Sequence, residues 1–223
     1  MSQSPPSPAP PALGGLRELK KRRTYAAISE AAIRLFLERG FDAVSVAEVA
    51  AAAEVSKPTL FRYFPAKEDL ALHRFADHED ESARVVRAGR AQGIGPLDAL
   101  ERHFLRGLAE RDPITGLCDH PEVLAYQRML YGTESLVARL HTYTRRADAA
   151  LAAALGGDEG PDVRARLAAG QIGVVLRTLA EENWRRIEDA GESADAVCPG
   201  AVQAAEFAFG QLRDGIAQAD RRG

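Results

Sequence analysis

Two serine caps eleven residues apart constrain this chain more than any other feature in it. Ser45-Val-Ala-Glu48 has the form of a capping box. In that motif a serine hydroxyl takes the amide of the residue three ahead, while that residue's carboxylate reaches back to the serine N–H. The helix it opens is short and ends near Ala53. Ser56 then caps a further helix, with Pro58 in its first turn, where a missing N–H costs nothing. That helix runs to about Phe64, and Pro65 stops it. A longer helix, about Leu16–Arg39, precedes the pair. Its apolar positions Ile28, Ala31, Ala32, Leu35 and Phe36 recur at three and four residues, and Gly40 is placed to end it. Two short helices across a three-residue turn, Ala53-Glu54-Val55, with a brace in front, make a helix-turn-helix.

Three small helices build only a modest core. Val44, Val46, Val49, Ala50, Val55, Leu60 and Phe64 are therefore expected to pack against Ile28, Leu35 and Phe36. That leaves Lys57, Thr59, Arg62 and Tyr63 facing outward on the second short helix, a donor-rich set of the kind a recognition helix presents to a major groove. Charge agrees. The whole chain carries a net −3, yet Leu16–Lys67 holds ten basic residues against six acidic ones, a local excess of four. A basic module on an acidic body suits a protein that meets DNA at one end. The run Lys20–Arg23 reads either as an arm reaching a minor groove or phosphates, or as a solvated charged turn.

Taken together, Thr24–Leu70 resembles the DNA-binding domain of TetR-family transcriptional regulators. The resemblance rests on Ile28-x-x-Ala31-Ala32-x-x-Leu35-Phe36-x-x-x-Gly40-Phe41, on Val44-x-Val46-x-x-Val49-Ala50-x-x-Ala53-x-Val55-Ser56, and on Thr59-Leu60-Phe61-x-Tyr63-Phe64-x-x-Lys67-Glu68-x-Leu70. It implies phosphate contacts at Thr24 and Ser45, backbone clamps at Thr59, Tyr63 and Lys67, and base-edge contacts from Lys57 and Arg62, since basic side chains in the major groove favour guanine O6 and N7. The chain departs from the family pattern twice. Glu54 stands where glycine is usual, because the turn tends to need a positive φ; Glu there costs roughly 1–2 kcal/mol if the left-handed conformation is kept. Phe61 stands where tyrosine is common, so a phenol bond to phosphate is not possible there.

Everything after residue 66 reads as further helices without strand alternation. The expected fold class is all-α: an N-terminal three-helix helix-turn-helix domain and a C-terminal helical ligand-binding and dimerisation domain. The expected divisions are a disordered Pro-rich leader over 1–15, the DNA-binding domain over 16–66 and the regulatory domain over 67–219. Helices are placed near Lys67–Gly89, Pro96–Arg111, Pro121–Tyr131, Glu134–Leu155, Asp162–Ala190 and Pro199–Ala219. The resemblance implies a homodimer joined by the last two of these, with Leu176, Leu179, Val202, Phe207, Phe209 and Leu212 at the interface. A pocket among the other helices would be lined by His103, Phe104, Tyr126, Tyr131, His141, Arg177 and Trp184. Arg177 interrupts the apolar run Ile172–Ala180, and a buried guanidinium demands an anion. That anion is either a ligand group or a protein carboxylate, and the two are left open. The effector expected is a hydrophobic or aromatic small molecule.

Cys118 and Cys198 are far apart and form no CxxC, which suits a reducing compartment rather than a disulfide framework. No apolar run reaches the ~18 residues a membrane span needs, and a cytoplasmic location is expected, with no membrane partner. Phosphate-loop, GxSxG and HExxH motifs are missing, so no enzyme, metal or cofactor is expected. The function expected is sequence-specific binding of a double-stranded, palindromic operator, repressing until a small molecule releases it. The alternatives are an activating or ligand-independent regulator, and an interaction protein of the same fold that has lost DNA binding.

Overall fold

The computed structural model describes residues 13–156 and 160–220, and every element in it is helical. Ten α-helices follow one another: α1 (Leu13–Arg39), α2 (Val46–Ala52), α3 (Lys57–Tyr63), α4 (Lys67–His78), α5 (Glu81–Ala91), α6 (Pro96–Glu110), α7 (Pro121–Gly132), α8 (Glu134–Leu155), α9 (Val163–Glu188) and α10 (Ala194–Asp220). A short 3-10 turn, Pro113–Thr115, sits between α6 and α7. The expected leader lies outside the described residues up to residue 12; α1 begins at Leu13.

The chain divides into two compact units, Met1–Ala71 and Leu72–Gly223, and the division falls inside α4. In the first unit, Ile28, Ala32, Phe36, Val44, Val49, Leu60 and Phe64 are withdrawn from solvent. α1 packs on α2, and α2 on α3. Gly40 ends α1 at φ +88°, with its N–H donating to the Phe36 carbonyl at 2.8 Å, a conformation only glycine adopts without strain. The first turn of α4 belongs with this unit for a visible reason: Lys67 Nζ donates to the Phe41 carbonyl at 2.6 Å and lies 4.3 Å from the Phe41 ring centre.

In the second unit α8 packs on α5 and α9, and α10 on α6 and α9. Leu100, Phe104, Leu108, Leu117, Leu151, Ile172, Val197 and Phe209 form its core. Asn183 on α9 donates from Nδ2 to the Thr115 carbonyl at 2.9 Å, fixing the 3-10 turn. Gly116 completes that joint. Its φ is +72°, and a Cβ there would fall 1.9 Å from the Ala180 carbonyl oxygen, so the turn can approach α9 only with glycine.

Two further helix boundaries differ from expectation. The stretch read as one helix over Lys67–Gly89 is two, broken after His78. The break places Glu79, Asp80 and Glu81 at the N-terminal, positive end of α5, whereas an unbroken helix would carry three adjacent carboxylates in its interior. The last helix begins at Ala194 rather than Pro199. Ser193 caps it, its hydroxyl accepting from the Ala196 N–H at 3.2 Å, and Asp119 Oδ2 accepts from the Ala194 N–H at 2.9 Å. These caps outweigh the one bond that Pro199 removes from the second turn.

Candidate nucleic-acid interface

The first unit presents one short helix on a rigid mount. α2 starts on Ser45, whose side chain accepts from the Glu48 N–H, while the Ser45 N–H and hydroxyl both donate to Glu48 Oε2 at 2.8 and 2.7 Å. Arg39, at the end of α1, holds the other carboxylate oxygen at 2.8 Å. The Ser45 backbone N–H, the Ser45 hydroxyl and then Arg39 together hold the Glu48 carboxyl at about 2, against an ordinary 4.5. One carboxylate therefore ties α1, the loop after it and the start of α2.

The turn that follows is a Schellman motif. The Val55 N–H donates to the Ala50 carbonyl at 2.9 Å and the Glu54 N–H to the Ala51 carbonyl at 3.1 Å. Making both bonds requires Glu54 to be left-handed, and its φ is +54°. The turn thus keeps the conformation for which glycine is usual, and Glu54 carries the strain.

α3 then starts on Ser56, which accepts from the Thr59 N–H at 3.2 Å and shares a 2.8 Å hydroxyl–hydroxyl bond with Thr59. Leu60 is fully buried. At about 100° per residue, Arg62 projects nearly opposite to it, into solvent. Lys57 is exposed, its ammonium 6.0 Å from the ring of Phe61, itself 40% exposed. Arg62 and Lys57 are thus able to reach a partner, and Tyr63, half-buried, lies 5.6 Å from the Arg62 guanidinium. Behind α3, Tyr25 of α1 stacks on Phe64 with ring centres 4.6 Å apart. That contact fixes the end of the helix to α1 and was not foreseen from the sequence. Tyr25 stands three residues before Ile28, so extending the apolar stripe of α1 by one turn would have marked it.

Four expected phosphate or backbone contacts prove to be engaged within the protein. The Thr24 hydroxyl donates to the Lys20 carbonyl at 3.0 Å, the Ser45 hydroxyl to Glu48 and the Lys67 ammonium to Phe41, and the Thr59 hydroxyl shares its bond with Ser56. Lys67 retains two further N–H donors.

The residues expected to line an effector pocket scatter. Phe104 is in the core of the second unit, Tyr126 is buried, and His141 is exposed. His103 is a strut. Its Nδ1 faces the Arg106 guanidinium at 3.1 Å, and arginine only donates, so Nδ1 accepts and Nε2 carries the proton toward Glu81 Oε1 at 3.1 Å. His103 and then His78 hold the Glu81 carboxyl well below the usual carboxylate range. Arg177 corrects the expectation of a buried guanidinium: its side chain is 43% exposed, and Asp148 Oδ1 lies 3.1 Å from Nη1. The anion it needs is a protein carboxylate. Gly173 makes room for the pair, since a Cβ there would fall 2.3 Å from Asp148 Oδ1. Tyr131 and Trp184, by contrast, are brought together at 5.3 Å. Trp184 Nε1 and Gln127 Oε1, the latter one turn from Tyr131, are buried without a hydrogen-bond partner among the described residues. Gln127 escaped the sequence reading, which weighed aromatic and charged residues.

The expected dimer residues also divide. Phe209 is fully buried and Leu212 is 7% exposed, both in the chain's own core, so they cannot face a second subunit. Leu176, Leu179 and Val202 are half-buried against that core. Phe207 is 68% exposed, together with Leu167 and Val174 of α9 at 62% and 55%.

The family model described as "Bacterial regulatory proteins, tetR family" matches residues 28–73. The HTH-type transcriptional regulator TcmR of Streptomyces glaucescens is 30% identical over 179 residues, 78% of this chain and 79% of that protein. Among solved structures, a TetR-family regulator from Streptomyces coelicolor is 25% identical with a TM-score of 0.51, over 84% of this chain and 95% of that one. NalD of Pseudomonas aeruginosa, described as the secondary repressor of the MexAB-OprM multidrug efflux pump, shares the fold at 18% identity and a TM-score of 0.54, over 84% and 97% of the two chains. No helix among the described residues is long and apolar enough to cross a membrane.

Proposed function

Because the chain belongs to the TetR family and is a DNA-binding transcriptional regulator, we propose that it acts as a homodimeric repressor, released from a palindromic operator by a small apolar or aromatic effector. The observation that carries the reading is the exposed Lys57 and Arg62 pair on α3, a helix held by a cap at one end and the Tyr25–Phe64 stack at the other. A backbone so mounted loses little freedom on binding, which favours base readout over loose attraction. Lys57 and Arg62 read base edges in this proposal. Lys67, Thr59 and Tyr63 position the backbone; Thr24 and Ser45, with their hydroxyls engaged, stiffen the module that does so.

Dimerisation supplies the second half-site. Leu167, Val174 and Phe207 lie exposed on α9 and α10, two helices that pack on each other, and a second copy is the occupant that would withdraw them from water. The two recognition helices would then sit roughly 34–36 Å apart, one turn of DNA. The effector site is placed where α7 meets α9. There Tyr131 and Trp184 supply aromatic surface, and the orphaned Trp184 N–H and Gln127 oxygen ask for one acceptor and one donor. An effector acts only so far as it binds the DNA-incompatible state more tightly.

The test is selection of duplexes from a random pool by the full chain, followed by affinity measurements with Arg62→Ala. A near-palindromic consensus is expected, and Arg62→Ala should relax preference at one position per half-site by about 1–3 kcal/mol. Recovery of no preferred sequence would overturn the reading.

A further inference from the structure

The basic run before the helix-turn-helix is not absorbed by the recognition helix, and its geometry bears on the arm that was one of the two readings the sequence left open. Residues 19–23 lie within α1 and are exposed throughout. From Arg17 to Arg23 the sequence carries five basic residues and one acidic. The segment is a helical continuation of the brace, tied at its base: the Thr24 hydroxyl holds the Lys20 carbonyl, and Tyr25 stacks on Phe64 at the end of α3. Lys21 stands one turn before Tyr25 and on the same face, so it projects beside the C-terminal end of α3. Lys20 is its exposed neighbour around the helix.

We propose that the exposed turn of α1 carrying Lys20 and Lys21 is a second DNA-contact surface, which grips the sugar–phosphate backbone flanking the sequence read by α3. The inference rests on the DNA-binding reading and extends it to a surface that makes no base contact. A helix about 10–12 Å across cannot enter a minor groove about 6 Å wide. This arm is helical at the turn concerned, so it lies across phosphates and reads no bases. Phosphates are spaced densely enough, one charge per ~1.7 Å of duplex axis, to meet two lysines on one turn without a special register. The contribution is therefore to affinity and its salt dependence, equal for every sequence.

The experiment compares the full chain with a Lys20→Gln/Lys21→Gln double variant on two duplexes: the best one recovered by selection, with at least one helical turn of arbitrary flank on each side, and the same core trimmed of its flanks. Binding is measured across a salt series. The slope of log K against log salt should fall in magnitude by about 0.9 for each phosphate that a missing lysine leaves unneutralised, so by up to about 1.8 per protomer. The selected consensus should not change. Trimming the flanks should weaken the wild type and leave the double variant almost unaffected. Arg87→Gln, an exposed cation on α5, should leave the slope alone. An unchanged slope in the double variant, or a wild type indifferent to the flanks, overturns this inference while leaving α3 recognition intact. A wild type that binds no duplex at low salt overturns the DNA-binding reading itself. A changed consensus in the double variant would show base readout and refute the phosphate assignment.

Discussion

Glu54→Gly should stabilise the first unit. Glu54 sits at φ +54° because the Schellman turn between α2 and α3 needs a left-handed residue to close both the Val55-to-Ala50 and Glu54-to-Ala51 bonds. For a residue with a Cβ that conformation costs roughly 1–2 kcal/mol. Glycine removes the strain but loses more chain freedom on folding, on the order of 0.5–1 kcal/mol. The net gain expected is about 0.5–1 kcal/mol. The assay is urea unfolding followed by far-ultraviolet circular dichroism, because Trp184, the only tryptophan, lies in the second unit and would not report the first. Two controls isolate the cause. Glu54→Ala keeps the Cβ and should gain little; Glu54→Gln removes the charge and should also gain little. If alanine or glutamine stabilises as much as glycine, the strain argument is wrong, and the effect belongs to charge or helix propensity instead. A destabilised glycine variant would refute it as well.

Acid should loosen the same module through Glu48. Its carboxyl titrates at about 2 when folded and at about 4.5 when free, so the stability it lends is complete above 4.5 and is lost as pH falls from there toward 2. The difference in stability between the wild type and Glu48→Gln should therefore be largest at neutral pH and vanish near pH 2; parallel pH profiles would contradict this. On α10, Phe207→Ser should weaken self-association by about tenfold or more in sedimentation while preserving helicity, since a withdrawn phenylalanine is worth about 1.5–3 kcal/mol and a twofold interface counts it twice. Phe209→Ala should instead lower the stability of the second unit by about 3–5 kcal/mol, and equal effects from the two variants would refute the assignment of faces.

The DNA-binding unit was legible because its signals are local. A cap is declared by one serine and the residue three ahead, so α2 and α3 could be read residue by residue; the strain at Glu54 was implied by the family pattern, which has glycine at that turn, and the φ of +54° bears it out. The effector region was not legible in the same way. Arg177 interrupts an apolar run whether a ligand or Asp148 neutralises it, and Asp148 lies 29 residues away on another helix. His103 likewise owes its role to Glu81 on α5 and Arg106 on its own helix. Polar partners across helices leave no periodic trace.

The dimer face shows a deeper version of the same limit. Phe207 and Phe209 are two residues apart on α10, about 200° around the helix, so they cannot share a face. Hydrophobic periodicity reports that both are apolar but assigns neither to its partner. A helix that packs within its chain and also against another copy carries two stripes, and in a summed pattern they merge. On α9 a summed pattern likewise merges Leu167 and Val174, which are exposed, with Ile172, which is buried. Angular separation resolves them once one residue on each helix is known to be buried: Phe209 fixes the inner stripe of α10, Ile172 that of α9. The exposed residues then follow by rotation, with Gln203, Ala204 and Gln211 sharing the outward side of α10 with Phe207. Phe207 is then the one large apolar group on that side, which is why substitution there, rather than at the half-buried Val202, is the sharper probe of assembly.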